Sequence, residues 1–507
     1  MPDARTRRSS SRGGVAAALA KSRLGVAALV FSVMAAAAPL TVVAGGATAG
    51  FQVTGSTGIP LAYVVVAVIL GLFAVGYVAM SRRIVNAGAF YTYISRGLGK
   101  PAGVGGALTA LAAYGPLMQV GLLCGFGVVA EDFMTTHVGL TMPWWIWAYA
   151  AWALAAVLGV TRIDLLGVVL SVLLVAEICV AVVLAVVQVR HPSGGRLSVT
   201  TLSPSNLLTT GLGAALATAI AGFVGFEGTA VFGEEAKDPR RTVARATFIA
   251  VTLIGGLYAF CAWAMSVAAG PDQIVDRATG EGSELIFNLA APHLPPAVIT
   301  VGQFLLLSSI FAAILAFQNT QARIVFALAR EGVLPALLGR VGKRSKAPVG
   351  GSITQTVLAF FAIIAFVLTG WDPFTKGFFW LTVLGGIGVL LLMTITSSAV
   401  VAFFSRRDNP AGVWEGRVAP ALAFAALAGV CYVTVDNGAA LFGVDPTSGT
   451  QWWLLGVYPA VFIAGVVWAL ILRSAKPEVY ARIGLGAHSN VAEVESTARH
   501  STTGGVR

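Results

Sequence analysis

The stretch "GFVGFEGTAVFGEEAKDP", which runs from Gly222 to Pro239, combines features that oppose one another in a membrane-spanning segment. It is mostly apolar before Glu234, yet it contains the carboxylate of Glu227 and three glycines around it. Glycine costs about 1 kcal/mol relative to alanine in a helix interior, and a charged group at the bilayer centre costs at least about 2.5 kcal/mol. The stretch therefore predicts a helix that is interrupted near Glu227.

The composition of the chain predicts a protein that crosses a membrane many times. Of the 507 residues, 57% are hydrophobic and 11% are charged, whereas a soluble domain carries roughly 25% charged residues. Such a chain cannot cover a water-facing surface, so lipid must be part of its solvent. The predicted fold class is an all-α polytopic membrane protein.

Twelve apolar runs approach or exceed the length of about 20 residues that crosses a bilayer, and we number them spans 1 to 12. They cover residues 24–50, 59–80, 101–130, 144–160, 165–189, 207–233, 243–269, 296–328, 349–369, 374–404, 418–435 and 452–472.

The charges between the spans predict the orientation of the chain. If both termini are cytoplasmic, 29 of the 33 Lys and Arg residues fall on the cytoplasmic side and 4 on the other side. This asymmetry is a strong positive-inside signal for a protein of the cytoplasmic (plasma) membrane. It predicts a cytoplasmic tail at 1–22, a transmembrane domain at 23–473 and a second cytoplasmic tail at 474–507. The net charge of +11 then reflects topology, and no nucleic-acid partner is predicted.

Patterns that would indicate catalysis or metal binding are not found in the sequence. The four cysteines lie in apolar runs without CxxC spacing, and the five histidines fall in predicted loops or tails. The sequence contains neither an HExxH zinc motif nor a GxxxxGK[ST] phosphate loop. We therefore predict no enzyme activity, no metal and no cofactor.

Span 1 carries a second predicted interruption, in "MAAAAPLTVVAGGATAG" from Met34 to Gly50. Pro39 removes a backbone donor, and Gly45 and Gly46 follow. Span 1 begins inside and span 6 begins outside, so these are matching helices of two inverted halves if spans 1–5 and spans 6–10 share one fold. Matched interrupted helices of this kind indicate the central site of a transporter. The exposed helix ends favour an anion at one pole and a cation at the other, as in an amino acid.

Several motifs resemble the amino acid–polyamine–organocation (APC) superfamily of permeases. The stretch 222–246 resembles their sixth helix, "NAGAFYTYISRGLGKPAG" (86–103) their segment between helices 2 and 3, and "ARIVFALAREGVLPALLGRVGKRSKAP" (322–348) the end of their helix 8. "AAAAPLTVVAGG" (35–46) is similar to helix 1 of one subgroup, although relatives often have Gly-x-Gly where this chain has Ala-Pro.

The resemblance implies a LeuT-like fold, with inverted five-helix repeats at about 24–189 and 207–404 and two further helices at about 418–472. It implies a substrate between the interrupted spans 1 and 6. The implied contacts are amides of span 1 with the substrate carboxylate and carbonyls of span 6 with its amine, at Ala37, Ala38, Leu40, Ala221, Gly222 and Phe223. The resemblance also implies an aromatic lid on span 6, for which Phe223 and Phe226 are the candidates.

Glu227 and Glu177 are the charged residues deepest in the predicted spans, and they are candidates for coupling transport to protons. Glu227 is expected to open the second half of span 6, where its carboxylate either caps backbone N–H groups or changes its protonation during transport. Glu177 is either a proton relay or the partner in a buried hydrogen bond. Ser308 and Ser309 are possible sodium ligands, although helical serines commonly bond their own backbone.

These features predict a secondary active amino acid permease that works by alternating access, with proton-coupled import favoured over sodium coupling. A polyamine or other organic-cation carrier and an amino acid exchanger are the alternatives. A channel would carry a continuous polar lining on several helices, whereas the polar groups here cluster around two interruptions.

Overall fold

The computed structural model describes residues 24–84, 86–161, 163–342, 345–406 and 411–486, without the side chains of 163–170 and 239. Within these ranges the chain is helical almost throughout, with one isolated bridge between Leu24 and Ala236 and no strand. The prediction of an all-α polytopic membrane protein is confirmed. The predicted tail at 1–22 and the part of the second tail at 487–507 lie outside the described residues.

Eleven of the predicted spans are helical segments long and apolar enough to cross a bilayer. In chain order they are Val26–Thr54, Ile59–Arg83, Lys100–Val138, Ser171–Arg190, Leu212–Val231, Arg240–Ala269, Pro296–Arg330, Val349–Thr369, Pro373–Phe404, Trp414–Asp436 and Thr450–Ala475. Span 4, Trp144–Val160, is a shorter apolar helix of 17 residues, so the number of twelve spans stays a prediction.

Shorter helices connect the spans. The main ones are Phe90–Leu98 before span 3, Pro204–Leu207 before span 6, Ile274–Glu281 and Leu285–Ala290 between spans 7 and 8, and Pro477–Arg482 after span 12.

Span 6 forms the centre of the bundle. In its most apolar stretch 94% of the residues are buried, compared with 17% in span 12. Glycines allow its neighbours to approach closely. A Cβ on Gly213 would lie 1.9 Å from the Val433 carbonyl oxygen of span 11, and one on Gly386 of span 10 would lie 2.7 Å from Ala221 Cβ.

The outer spans present large apolar side chains away from the bundle. Leu368 of span 9, Tyr432 of span 11 and Trp453 of span 12 are all strongly exposed. Such a surface suits contact with lipid rather than water.

The segment after span 12 folds back onto the ends of spans 3 and 8. Glu331, at the end of span 8, is fully buried, and its carboxylate accepts the N–H groups of Gly484 and Gly486, each at 2.7 Å. The Tyr91 hydroxyl donates a short hydrogen bond to the same carboxylate. Burial raises the pKa of Glu331, while these hydrogen bonds and the nearby Arg330 act in the opposite direction.

Replacing Glu331 by Gln should destabilise the protein by about 1–3 kcal/mol. The amide nitrogen of glutamine cannot accept a hydrogen bond, so the N–H of either Gly484 or Gly486 loses its acceptor. The melting temperature in detergent measures this loss. Glu478→Gln, on the exposed side of Pro477–Arg482, is the matched control and should leave the melting temperature unchanged. Equal melting temperatures for the two variants would contradict the docking of residues 483–486 on Glu331.

Candidate functional site

Span 1 is interrupted at Ala38, which links the helix Val26–Ala37 to a second helical part that begins at Pro39. Ala38 has φ 45° and ψ 70°, in the left-handed region that non-glycine residues rarely adopt. Leu40 N–H has no hydrogen-bond acceptor among the described residues, and Thr41 N–H donates to Ser309 Oγ at 3.4 Å. The start of the second part therefore offers the N–H of Leu40 and a positive helix end, which favour an anion.

Span 6 is interrupted between Leu212–Phe223 and the short helix Gly228–Val231. Gly225 has φ 121°, and a Cβ there would lie 2.6 Å from Ala36 Cβ and 3.1 Å from Ala37 N. Only glycine fits both this conformation and this contact. The two interruptions thus touch each other, as the sequence predicts for a shared site.

Glu227 ties the interruption of span 6 to span 3. Its carboxylate accepts Gly225 N–H at 2.9 Å and the Tyr114 hydroxyl at 2.5 Å, and the side chain is almost fully buried. The Tyr77 hydroxyl of span 2 donates to the Glu227 backbone carbonyl at 2.8 Å. Glu227 directly precedes the helix Gly228–Val231, as expected for a residue that opens the second half of span 6, but its carboxylate makes no cap hydrogen bond to that helix. The expectation that it caps the following N–H groups is wrong, because the side chain turns back to Gly225.

A cavity of about 70 Å³ lies where the two interruptions meet. Spans 1, 3, 6, 8 and 10 line it. Its side chains are mostly apolar, among them Val42, Met118, Phe317 and Val383, and none of the described residues that line it is charged. The cavity therefore combines apolar walls with the backbone groups of two helix ends.

Some of the substrate contacts predicted from the sequence line this cavity and others do not. Ala37, Ala38, Ala221 and Gly222 line it, and the Gly222 carbonyl receives no hydrogen bond from the described residues. Leu40 is buried but is not part of the lining.

The two span 6 aromatics proposed as lids also lie outside the lining. Phe223 packs against the rings of Tyr63 and Tyr258, with centroid separations of 6.4 and 5.8 Å. Phe226 packs against Phe73 at 6.1 Å. The aromatic residues that line the cavity are instead Phe317, Phe378 and Phe379.

Thr41 is a candidate contact that sequence reasoning missed. Its hydroxyl lines the cavity, the residue is 5% exposed, and the hydroxyl has no partner among the described residues. The other two threonine hydroxyls of the lining, at 218 and 382, are satisfied within their own helices. Buried polar groups are nearly always paired, so Thr41 is available for a ligand. A threonine in an apolar run carries no signal of this in the sequence.

Glu177 of span 5 connects to the interruption of span 1 through Ser309. It is buried, and its carboxylate interacts with the side chain of Ser309, whose hydroxyl oxygen accepts Thr41 N–H. The Ser308 hydroxyl donates to the Leu305 carbonyl of its own helix at 2.9 Å. In the described part of the chain, no group of three His, Cys, Asp or Glu residues is placed to hold a metal ion.

Three wide-turn π-helical segments surround the cavity, and sequence reasoning did not predict them. They are Val42–Ala47 in span 1, Ala113–Gln119 in span 3 and Pro373–Trp380 in span 10. Each contributes to the lining, and such segments are frequent at functional sites. Pro116, inside the span 3 segment, is the sequence signal that marks one of them.

Two buried ion pairs connect span 8 to the two glutamates that directly follow span 6. Arg323 Nε lies 2.7 Å from a Glu235 carboxylate oxygen, and Arg330 Nη2 lies 2.9 Å from one of Glu234. Glu234 and Glu235 belong to a run of charged residues that the positive-inside pattern of the sequence assigns to the cytoplasmic side.

A comparison with known protein families finds one that matches most of the chain. The family described as "Amino acid permease" matches residues 22–466. An uncharacterized transporter of Mycobacterium tuberculosis is 31% identical over 235 residues, which cover 45% of this chain and 52% of that protein. The match therefore spans about half the length of that relative.

Two further relatives have names that state a substrate. The mitochondrial cationic amino acid transporter 3 of Arabidopsis thaliana is 31% identical over 152 residues, which cover 30% of this chain and 24% of that protein. The low-affinity putrescine importer of Escherichia coli is 22% identical over 363 residues, which cover 69% of this chain and 74% of that protein.

Replacing Tyr114 by Phe should destabilise the protein by about 1–3 kcal/mol, because one oxygen of the buried Glu227 carboxylate loses its donor. The melting temperature of the purified protein measures the effect. Tyr432→Phe, at an exposed position of span 11, removes a hydroxyl without this partner and should behave as the parent. If both variants melt alike, the Tyr114–Glu227 hydrogen bond does not support the interruption.

Proposed function

The chain belongs to the amino acid permease family, whose members are transporters and not enzymes, and on that premise we propose that it is a secondary active transporter of amino acids. It works by alternating access in the cytoplasmic membrane, with both termini inside. The repeats at 24–189 and 207–404 are inverted copies that form the substrate site between them.

The cavity between the two helix interruptions is the observation that carries this proposal. On one side, the start of the second part of span 1 supplies a positive helix end for a carboxylate, together with the N–H of Leu40 and the Thr41 hydroxyl, both without a partner among the described residues. On the other side, the Gly222 carbonyl lies at the end of a half-helix and is free to accept a hydrogen bond from an ammonium group. An amino acid carries its ammonium and its carboxylate on the same carbon atom, which suits a small cavity of about 70 Å³ between two helix ends.

The lining favours small neutral amino acids. Apolar side chains such as Val42, Met118 and Val383 surround the space left for the substrate side chain. A polyamine carries two or more positive charges, and burying a charge without a partner costs several kcal/mol. Since no described lining residue is charged, the polyamine alternative is the weaker one.

Glu227 and Glu177 are the residues we propose for proton coupling. Neither forms an ion pair with a described residue. Protonation of Glu227 would weaken its hold on Gly225 N–H and the Tyr114 hydroxyl, because a neutral carboxyl is the poorer acceptor. Protonation of Glu177 would act on Ser309 and through it on the interruption of span 1. Sodium coupling lacks this support, since Ser308 is bonded to its own helix.

Competition uptake into proteoliposomes tests the substrate class. Unlabelled small neutral amino acids should suppress uptake of radiolabelled alanine, while putrescine and lysine at equal concentration should leave it nearly unchanged, because the cavity has no charged partner for a second ammonium group. Protein-free liposomes give the background. Uptake of putrescine that alanine does not inhibit would replace this proposal with the polyamine alternative.

The two carboxylates are tested by Glu227→Gln and Glu177→Gln under an imposed pH gradient. The parent should take up alanine at least severalfold faster when the outside is acidic. Each variant should lose this acceleration and keep exchange of internal for external alanine, since exchange requires no net proton movement. Glu478→Gln should respond as the parent does. A parent that responds to a sodium gradient and not to a pH gradient contradicts proton coupling.

A further inference from the structure

Phe378 of span 10 stands between two cavities. The substrate cavity and a second cavity of about 10 Å³ share Thr41, Gly45 and Phe378 as lining residues. The second cavity continues to Ser283, in the connection between spans 7 and 8, and to Phe374, at the start of span 10. These positions are on the side that the charge pattern assigns to the exterior, opposite the ion pairs of Arg323 and Arg330.

The ring of Phe378 occupies a slot that two glycines create. A Cβ on Gly125 of span 3 would lie 2.5 Å from the ring, which is an overlap, and a Cβ on Gly45 of span 1 would lie 3.5 Å from it. The ring thus fills the space between spans 1 and 3 at the level of Thr41. It is half-buried, and the ring of Phe374 packs against it with a centroid separation of 5.5 Å.

The Phe378 ring and the Gly45 wall of its slot both belong to π-helical segments. Phe378 belongs to Pro373–Trp380 and Gly45 to Val42–Ala47. Wide turns of this kind interrupt the regular hydrogen-bond ladder and recur at functional sites. A change in either segment would move the ring relative to Gly45.

We propose that Phe378 is the outer gate of the substrate cavity, and that its ring, rather than an aromatic of span 6, separates a bound substrate from the exterior. The assignment rests on the proposed transport function. Phe223 and Phe226, the span 6 candidates, pack against aromatic residues of spans 2 and 7 and do not line either cavity.

Accessibility of position 41 from the exterior tests the gate. Thr41→Cys is labelled on intact cells with a membrane-impermeant thiol reagent, and the parent with its four native cysteines gives the background. Addition of Phe378→Ala should increase the labelling rate at least tenfold. Phe378→Tyr, which keeps the ring, should stay within twofold of Thr41→Cys alone. Phe361→Ala, which removes an exposed ring of span 9, is the control for loss of an aromatic side chain.

Gly125→Ala provides a second route to the same opening, because its methyl group takes the space of the ring while Phe378 itself is retained. It should also raise the labelling rate, whereas Gly71→Ala on span 2, where a Cβ meets nothing within 4 Å, should not. The proposal is overturned if adding Phe378→Ala leaves the labelling rate within twofold of that of Thr41→Cys alone. If the Phe378→Ala variant does not fold, the same result for Gly125→Ala overturns it. The assay contains no substrate, so its failure is distinct from a failure of amino acid transport.

Discussion

The hydrogen bonds of the Glu227 carboxylate hold together the part of the molecule on which the site depends. One oxygen accepts the N–H of Gly225, the residue at which the two interrupted helices touch, and the other accepts the hydroxyl of Tyr114. A bend in the most buried span leaves backbone groups that water cannot reach, and each unsatisfied group costs free energy. Glu227 satisfies one of these groups and fixes the bend against span 3.

Tyrosine hydroxyls support the same region from other spans. Tyr77 of span 2 donates to the Glu227 carbonyl, and Tyr258 of span 7 donates to the Ala37 carbonyl, both at 2.8 Å. These contacts stabilise an arrangement that includes Ala38 in a strained backbone conformation. Three groups without a partner among the described residues, Leu40 N–H, the Thr41 hydroxyl and the Gly222 carbonyl, lie at the ends of the half-helices next to the cavity. The structure thus separates backbone groups that hold the bundle from those that remain for a ligand.

Much of this architecture could be predicted from the sequence, because apolar length, helix-breaking residues and loop charge are local properties. They predict the helical membrane fold and the interruptions near Pro39 and Glu227. The direction of the Glu227 side chain could not be predicted, since it depends on Tyr114, more than a hundred residues earlier. The same holds for Phe378, because a phenylalanine that lines a cavity and one that packs against other rings, such as Phe223, look alike in an apolar run.

In the function proposed above, the cavity binds both charged groups of an amino acid through the ends of two interrupted helices. Equilibrium binding of alanine, alanine methyl ester and N-acetylalanine to the purified protein tests it most directly, because each derivative removes one charge and keeps the side chain. The account predicts that alanine binds and that either derivative binds at least tenfold more weakly, since one helix end is left without its partner. Equal affinity for alanine and for either derivative would contradict it.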